Sequence, residues 1–329
     1  GLLHDDADAW RHWWTNPQSR TIYCIGKDNI PFHAIIWPAE LIGVGESFDS
    51  KMGADDPQTL VLPYDVPANE FMNLEGRKLS GSKNWAVWGL EFLERYDPDP
   101  MRYYLTVNMP ETRDSDWDWE EFYQRNNNEL VATWGNLANR VLSFAYKNWE
   151  GKVPEPAELR EADRGLLAIL QDGFKHVEDH LEGVKLRAAV HEAMRLAAEV
   201  NKYLDTSAPW FEIKTDKTEA AKTIYTAMQA IDWLKIIFAP FLPHTSQALH
   251  EYLGYEKPIF GALVTQEVKD DLSTHMVMLY DPAESLTAEK RDLWEPATLT
   301  PGKAFNEPKP LFEKLDPSIV EEERTRLGK

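Results

Sequence analysis
The chain has 329 residues, 55 acidic against 35 basic side chains and a formal net charge of −20 at pH 7. That balance argues against a nonspecific nucleic-acid coat, which needs a positive field, and leaves room only for a binder with a small, local contact surface. The single cysteine, Cys24, excludes an internal disulfide framework and a zinc site of several cysteines; a lone thiol fits a reducing compartment. The first residues, Gly1 to Asp6, have no basic n-region or apolar core. The longest apolar run, near Ile236 to Leu242, is broken by Pro240 and Pro243, well short of the roughly 20 residues a spanning helix needs. No membrane association is expected.

Four regions follow in chain order. In residues 1–95, Thr21 to Ile25 is an apolar, β-branched run closed by Gly26 and reads as a buried strand. Ile30 to Leu41 reads as a helix interrupted near Trp37-Pro38. Residues 58–62 and 70–74 are further strand candidates. The alternation favours an α/β layer with a parallel sheet, too short for a complete doubly wound domain and so half of one. Residues 96–118 form a connector, in which Asp99 caps a short helix with Pro100 in its first turn. Residues 119–255 are helical almost throughout. Leu130, Trp134, Leu137, Val141 and Phe144 fall on one stripe, and two further stripes run over 186–200 and 224–238. Thr245 is the expected cap of a helix after Pro243. This predicts a bundle of four or five helices. Residues 256–329 are proline-rich and read as an irregular tail, helical only at the charged end, Ile319 to Arg326.

Four constellations carry candidate chemistry. Gly76 to Lys83, with Lys78, Ser80, Ser82 and Lys83, follows a strand and precedes a helical run. Glycines that let the backbone curl, hydroxyl donors and cations can cradle phosphates there; a solvated surface turn is the competing reading. Gly26, Lys27, Asp28 and His33 follow the first strand, where open α/β sheets bind ligands; a plain helix N-terminus is equally compatible. Asn136 and Arg140, four residues apart on a helix, are separated by about 40° around its axis and share a face. An amide and a guanidinium side by side can read base edges, or be a solvated flank. Trp210 follows Pro209 at a helix break and is a candidate stacking platform for an unpaired base, although most tryptophans pack.

Taken in order, these residues resemble the methionyl-tRNA synthetase family, class I aminoacyl-tRNA synthetases, over about residues 20–318. Gly26-Lys27-Asp28, Phe32-His33 and Trp37-Pro38 are similar to the family's G-K-D-x-x-x-F-H-x-x-x-W-P block. Lys78-Leu79-Ser80-Gly81-Ser82 resembles K-M-S-K-S. Asn136 to Arg140 resembles N-L-x-x-R, and Asn201-Lys202-Tyr203 with Ala208-Pro209-Trp210 resembles N-x-Y followed by A-P-W. Pro310-Leu311-Phe312 resembles a closing segment that packs back toward the catalytic domain.

The resemblance implies the C-terminal half of a Rossmann-like catalytic domain (1–95), a stem-contact connector (96–118), a helical anticodon-binding domain (119–255) and a tail (256–329). It implies ATP with Mg²⁺, methionine and tRNA(Met) as ligands, no zinc site in this portion, and a cytoplasmic enzyme. Lys78, Ser80 and Ser82 would hold the triphosphate. Gly26, Lys27, Asp28 and His33 would lie near the adenylate and methionine, and Asn136, Arg140 and Trp210 would read the anticodon. Two departures stand out. Gly81 replaces the signature lysine, for which Lys83 is the candidate substitute, and the H-I-G-H motif is absent. These 329 residues alone are therefore expected not to activate methionine; a non-catalytic tRNA-binding module derived from a synthetase is the alternative.

Overall fold
A computed structural model describes residues 9–52, 60–269, 273–286 and 293–329, without the side chains of 45–52. The chain divides into two compact units, one of residues 1–72, 110–115 and 263–280, the other of 73–109, 116–262 and 281–329.

In the first unit, a one-turn helix α1 (Arg11–Trp14) precedes strand β1 (Ile25–Gly26). β1 pairs in parallel with β2 (Ala68–Asn69), Ile25 opposite Ala68 and Gly26 opposite Asn69. The isolated parallel bridge Ile22–Asp65 extends the pairing. The strand expected over 21–25 is thus only its last residue plus a bridge. Of the 58–62 candidate, 58 and 59 lie outside the described residues and 60–62 form no strand. The helix predicted over 30–41 is not interrupted at Pro38. A π-helical segment, Phe32–Ile36, runs directly into α2 (Trp37–Met52). Proline in a helix clashes with the carbonyl four residues back; the widened π turn before it absorbs that clash.

In the second unit, β3 (Met72–Leu74) and β4 (Arg77–Lys78) form an antiparallel hairpin, Leu74 opposite Arg77. Its turn residues, Glu75 and Gly76, have φ of 48° and 71°, the pattern of the two-residue turn that matches strand twist. After the short α3 (Gly89–Leu93), α4 (Pro98–Val107) starts three residues before the Met101 expected from the sequence, with Pro98 in its first turn. Asp99 does not cap it. Its buried carboxylate instead accepts from the Thr245 backbone N–H and hydroxyl (2.7 and 2.8 Å). Asp99 therefore caps a later helix, displacing Thr245 from the predicted role, because a buried carboxylate must find donors. β5 (Ser115–Trp117) completes a three-stranded sheet in the order β4-β3-β5. Phe92, Tyr104, Trp117, Trp119 and Phe122 pack ring against ring beneath it, mostly edge-on, as aromatic quadrupoles prefer.

The bundle follows. α5 (Trp119–Arg125) passes through a π-helical stretch, Asn126–Gly135, into α6 (Asn136–Asn148). α7 (Glu161–Glu182) and α8 (Leu186–Ser207) pack together, and the one-turn α9 (Pro209–Glu212) leads to α10 (Lys217–Phe238) and α11 (Pro243–Tyr252). The first predicted stripe starts on the π-helical stretch with buried Leu130 and Trp134 and continues on α6 with buried Leu137 and Val141, Phe144 being half-buried; the others lie on α8, where Leu186 is half-buried, and on α10. α10 is buried nearly all round and is the hub. At Gly173 an added Cβ would lie 2.5 Å from the Leu196 side chain, so the missing Cβ makes room for Leu196 between α7 and α8.

The tail is less irregular than predicted. Residues 262–281 hold two eight-residue strands, β6 (Ala262–Lys269) and β7 (Thr274–Asp281), which pair as a two-stranded sheet. Proline density had masked them, although Pro258 and Pro282 only flank the pair. The charged end forms α12 (Ile319–Arg326). Among the described residues, no helix is long and apolar enough to cross a membrane.

Candidate functional site
The glycine–lysine–serine loop is a second tight turn on the β3–β4 hairpin. Ser80 and Trp85 exchange backbone hydrogen bonds of 2.9 Å, and residues Gly81–Lys83 close a 3₁₀ turn between them. The loop is tied down from below: the Gly76 N–H donates to both Asp116 carboxylate oxygens (3.0 and 2.9 Å), and the Trp85 indole N–H donates to the Leu74 carbonyl (2.8 Å). Lys78, Ser80 and Lys83 line a cleft of about 750 Å³ together with Arg77, Trp85 and Gly328. Ser82 does not line it, but its hydroxyl lies 3.4 Å from that of Ser80. Gly81 has no positive φ, and a Cβ there would make only ordinary contact, 3.5 Å from Trp88. Backbone geometry does not demand a glycine at this position. The cleft presents cations and hydroxyls, which suit a polyphosphate. Among the described residues no three His, Cys, Asp or Glu side chains cluster to hold a metal ion.

Gly26, Lys27, Asp28 and His33 lie in the first unit. Asp28 is exposed in a 3₁₀ turn, Lys27–Asn29, directly after β1. The Lys27 ammonium is engaged by Glu70 and lies 3.6 Å from Asp114. The hydrogen bond to Glu70 is the main reason its pKa stands above the ordinary lysine value. A ligand at Lys27 has to compete with both carboxylates. His33 sits on the π-helical turn, its ring 5.6 Å from that of Tyr23 and its Nδ1 3.1 Å from the Asn29 carbonyl oxygen.

Of the residues predicted on the helices, Arg140 and Trp210 come together and Asn136 stands apart. Trp210 is half-buried on α9, one edge against Phe144 with ring centroids 5.5 Å apart. The Arg140 guanidinium lies 4.6 Å from the Trp210 ring centroid. From its other sides Arg140 meets Asn201 Oδ1 at 3.5 Å and Asp205 at 3.7 Å. Its buried Nε–H has no hydrogen-bond partner, an unmet donor that calls for an explanation. Asn136, one turn earlier on α6, is exposed and lines a shallow groove of about 140 Å³ with Asn139, Pro310 and Phe312. It makes no contact with Trp210 comparable to that of Arg140. Gly135 lets Phe312 seat there, since a Cβ would lie 3.0 Å from the phenyl ring.

Two contributors escaped the sequence reading. Asp205 is one helical turn beyond Asn201, so the same i, i+4 logic that paired Asn136 with Arg140 would have found it. Arg160 could not be found that way. It precedes α7 yet joins α7, α8, α9 and α10, bonding Asp163, Tyr203, Glu212 and Thr223. Burial disfavours the charge on Asp163, but the Arg160 side chain, the Tyr203 hydroxyl and the Arg160 backbone N–H outweigh it and hold its pKa below the usual carboxylate range. Glu212 belongs to α9, so this network anchors the turn that carries Trp210.

Two family models match the chain. Residues 2–142 match the family described as tRNA synthetases class I (M), and residues 153–272 match the anticodon binding domain of methionyl tRNA ligase. The methionine–tRNA ligase of Thermomicrobium roseum is 50% identical over 326 residues, covering 99% of this chain and 53% of that protein. That of Roseiflexus sp. is 50% identical, covering 97% of this chain and 52% of that protein. Thus the chain spans about half the length of the curated relatives it matches. A crystal structure of Mycobacterium tuberculosis methionyl-tRNA synthetase bound by methionyl-adenylate shares the fold, with a TM-score of 0.69 at 24% identity, covering 94% of this chain and 52% of that one. With both halves of the sequence assigned to the same kind of enzyme and half of the residues identical to such ligases, the chain belongs to the methionyl-tRNA synthetase family.

Proposed function
We propose that this chain supplies the anticodon-reading domain and the second half of the ATP site of a methionine–tRNA ligase, which joins methionine to ATP as methionyl-adenylate and then transfers it to tRNA(Met). The observation that carries this reading is the Arg140–Trp210 pair, with ring and guanidinium 4.6 Å apart. A half-exposed indole whose orientation is fixed by a cation and by Phe144 is a stacking platform for an unstacked base. Arg140 is held by Asn201 and Asp205. Asn136 supplies amide hydrogen bonding to a neighbouring base from the same helix. Asparagine and arginine offer the directed donors that distinguish base edges.

In the same reading, Lys78, Ser80 and Ser82 receive the triphosphate of ATP, and Lys83 takes the part of the cation missing at Gly81. Fixed donors at the β- and γ-phosphates stabilise charge building on the departing pyrophosphate. Asp28 and His33, at the carboxyl end of β1, face the adenylate and the methionine side chain, with Gly26 keeping the backbone approachable. Magnesium accompanies ATP on its phosphates, and no step is routed through a resident metal. Residues 1–329 by themselves are expected to bind RNA and not to adenylate methionine, so pyrophosphate exchange by this chain alone would contradict the division of labour.

The test is binding of anticodon stem-loops by this chain. A CAU loop should bind more tightly than loops altered at each anticodon base. Trp210→Ala should weaken the CAU complex by about 1–3 kcal/mol, roughly 5- to 150-fold. Equal affinity for all loops, or no effect of Trp210→Ala, would overturn the reading.

A further inference from the structure
Beside the Trp210 platform lies a second cleft, of about 400 Å³, to which no role has been given. It is lined by Trp149, Lys152, Glu155, Lys217, Thr218 and Gly302, among others. Two ring-to-ring steps of 5.5 and 6.1 Å lead from Trp210 through Phe144 to Trp149. The Lys217 ammonium lies 5.5 Å from the centre of the Trp149 ring. Lys152 and Lys217 are both exposed, and neither forms an ion pair among the described residues. In a chain of net charge −20, this places two ammonium groups outside ion pairs on one aromatic cleft. The neighbouring carboxylate of Asp216 is engaged in capping α10, accepting from the Thr218 and Glu219 N–H groups (2.8 and 3.1 Å). Glu155 is the one carboxylate in the lining, and it restricts an anion to the lysine side.

The cleft is also built rather than loose. Val153 N–H donates to the Lys303 carbonyl and Gly302 N–H to the Val153 carbonyl, both at 2.9 Å. This pairing pins the Lys152 backbone to the tail. We infer that the Trp149–Lys152–Lys217 cleft is a second RNA subsite, which takes a nucleotide adjoining the anticodon, with its phosphates on Lys152 and Lys217 and its base against Trp149. Aromatic faces alternating with cations are the general means of following a single strand without reading its sequence. Two ring contacts are a separation that nearby nucleotides of an extended loop can span.

This inference rests on the anticodon reading of Trp210, and the experiment separates the two. Affinity of the chain for the CAU anticodon stem-loop is measured at 50 and 200 mM salt for the parent, Lys152→Ala/Lys217→Ala, Lys152→Arg/Lys217→Arg and Trp210→Ala. Each single-strand phosphate contact contributes about 0.7 to the slope of log affinity against log salt. The double alanine variant should therefore lose about 1.4 from that slope. Over the fourfold salt change, the parent then weakens about sevenfold more than the variant. The double arginine variant should keep the parent's slope, and the alanine variant's deficit should be the same for every anticodon. If Trp210→Ala weakens binding while Lys152→Ala/Lys217→Ala changes neither affinity nor slope, the subsite is refuted and the anticodon reading survives. If the parent does not bind, or Trp210→Ala has no effect, both fail.

Discussion

Asp163→Asn tests whether the buried network behind Trp210 is the fastener it resembles. The Asp163 side chain is fully buried, and Arg160 is 30% exposed. The carboxylate accepts from the Arg160 backbone N–H at 2.7 Å, from the Arg160 guanidinium at 2.9 and 3.0 Å, and from the Tyr203 hydroxyl at 2.5 Å. An asparagine keeps one acceptor oxygen and turns an NH₂ group toward donors. Removing one partner of a buried ion pair costs about 3–5 kcal/mol; because the guanidinium keeps some water, the lower end applies, about 3 kcal/mol. Against a total stability of roughly 5–15 kcal/mol, that is a large displacement of the urea midpoint followed by circular dichroism. The effect should also depend on pH in a defined direction. The Asp163 pKa is lowered in the folded protein, so its contribution is complete above the unfolded value of about 3.9 and disappears as pH falls through the folded one. The variant should lack that acid-side loss. Asp172→Asn, on an exposed position of the same helix, should change stability by no more than about 0.5 kcal/mol. If Asp163→Asn unfolded within that same margin of the parent, the claim that this network fixes α9 would be wrong.

Three further outcomes follow from the same kind of reasoning. His250 is buried, stacks on Tyr255 at 4.2 Å, and is held neutral, burial first and then the Lys235 charge pushing its pKa down to about 3. The unfolded chain therefore takes up a proton that the folded one refuses, so stability is full above pH 6.5 and falls between 6.5 and 3, by about 2 kcal/mol at pH 5; denaturation midpoints of His250→Gln should lack this slope. Gly173→Val forces a methyl-bearing carbon against Leu196, where even a Cβ stands at 2.5 Å, and should cost about 1–3 kcal/mol in thermal unfolding. Gly81→Lys meets no steric barrier, so the fold should keep its melting temperature while calorimetry shows tighter binding of inorganic tripolyphosphate; unchanged binding would remove the signature loop from phosphate recognition.

What was legible beforehand depended on whether the signal was periodic. Most residues of the three stripes are buried, Phe144 and Leu186 being half-buried, because a 3.6-residue repeat states both the element and its inward side. The α/β part was legible only as a class. Its parallel pairing is two residues long, and runs such as 21–25 and 58–62 carry strand propensity that packing does not use. The strands β6 and β7 were lost because prolines were counted over the whole tail, whereas only their flanks hold them. The role of Asp99 was invisible for a different reason. Its acceptors' partners lie some 145 residues later, and no local pattern encodes a cap supplied from so far away. The contact of Trp210 with Arg140 depends on α8 ending at Ala208, whose φ of 44° turns the chain so that α9 faces α6.

The net charge sets the terms for how such a chain could bind RNA at all. A field of −20 repels a polyanion at long range, but the repulsion is screened beyond about 8–10 Å in physiological salt. In the proposed reading, what remains is short-ranged: stacking on an indole, directed hydrogen bonds from Arg140 and Asn136, and a few ammonium groups outside ion pairs. Elsewhere on the bundle, basic side chains are held in ion pairs, as Lys175 is with Asp179, Arg195 with Glu192 and Lys222 with Glu219. These pairs leave little free positive charge to attract RNA without regard to sequence, since nonspecific affinity comes almost wholly from phosphate neutralisation. In the proposed reading, an acidic body of net charge −20 trades affinity for discrimination. On that reading, a loop that fails to place a base on the indole would have little else to hold it, and selectivity would arise from suppressing the background as much as from strengthening the correct contact.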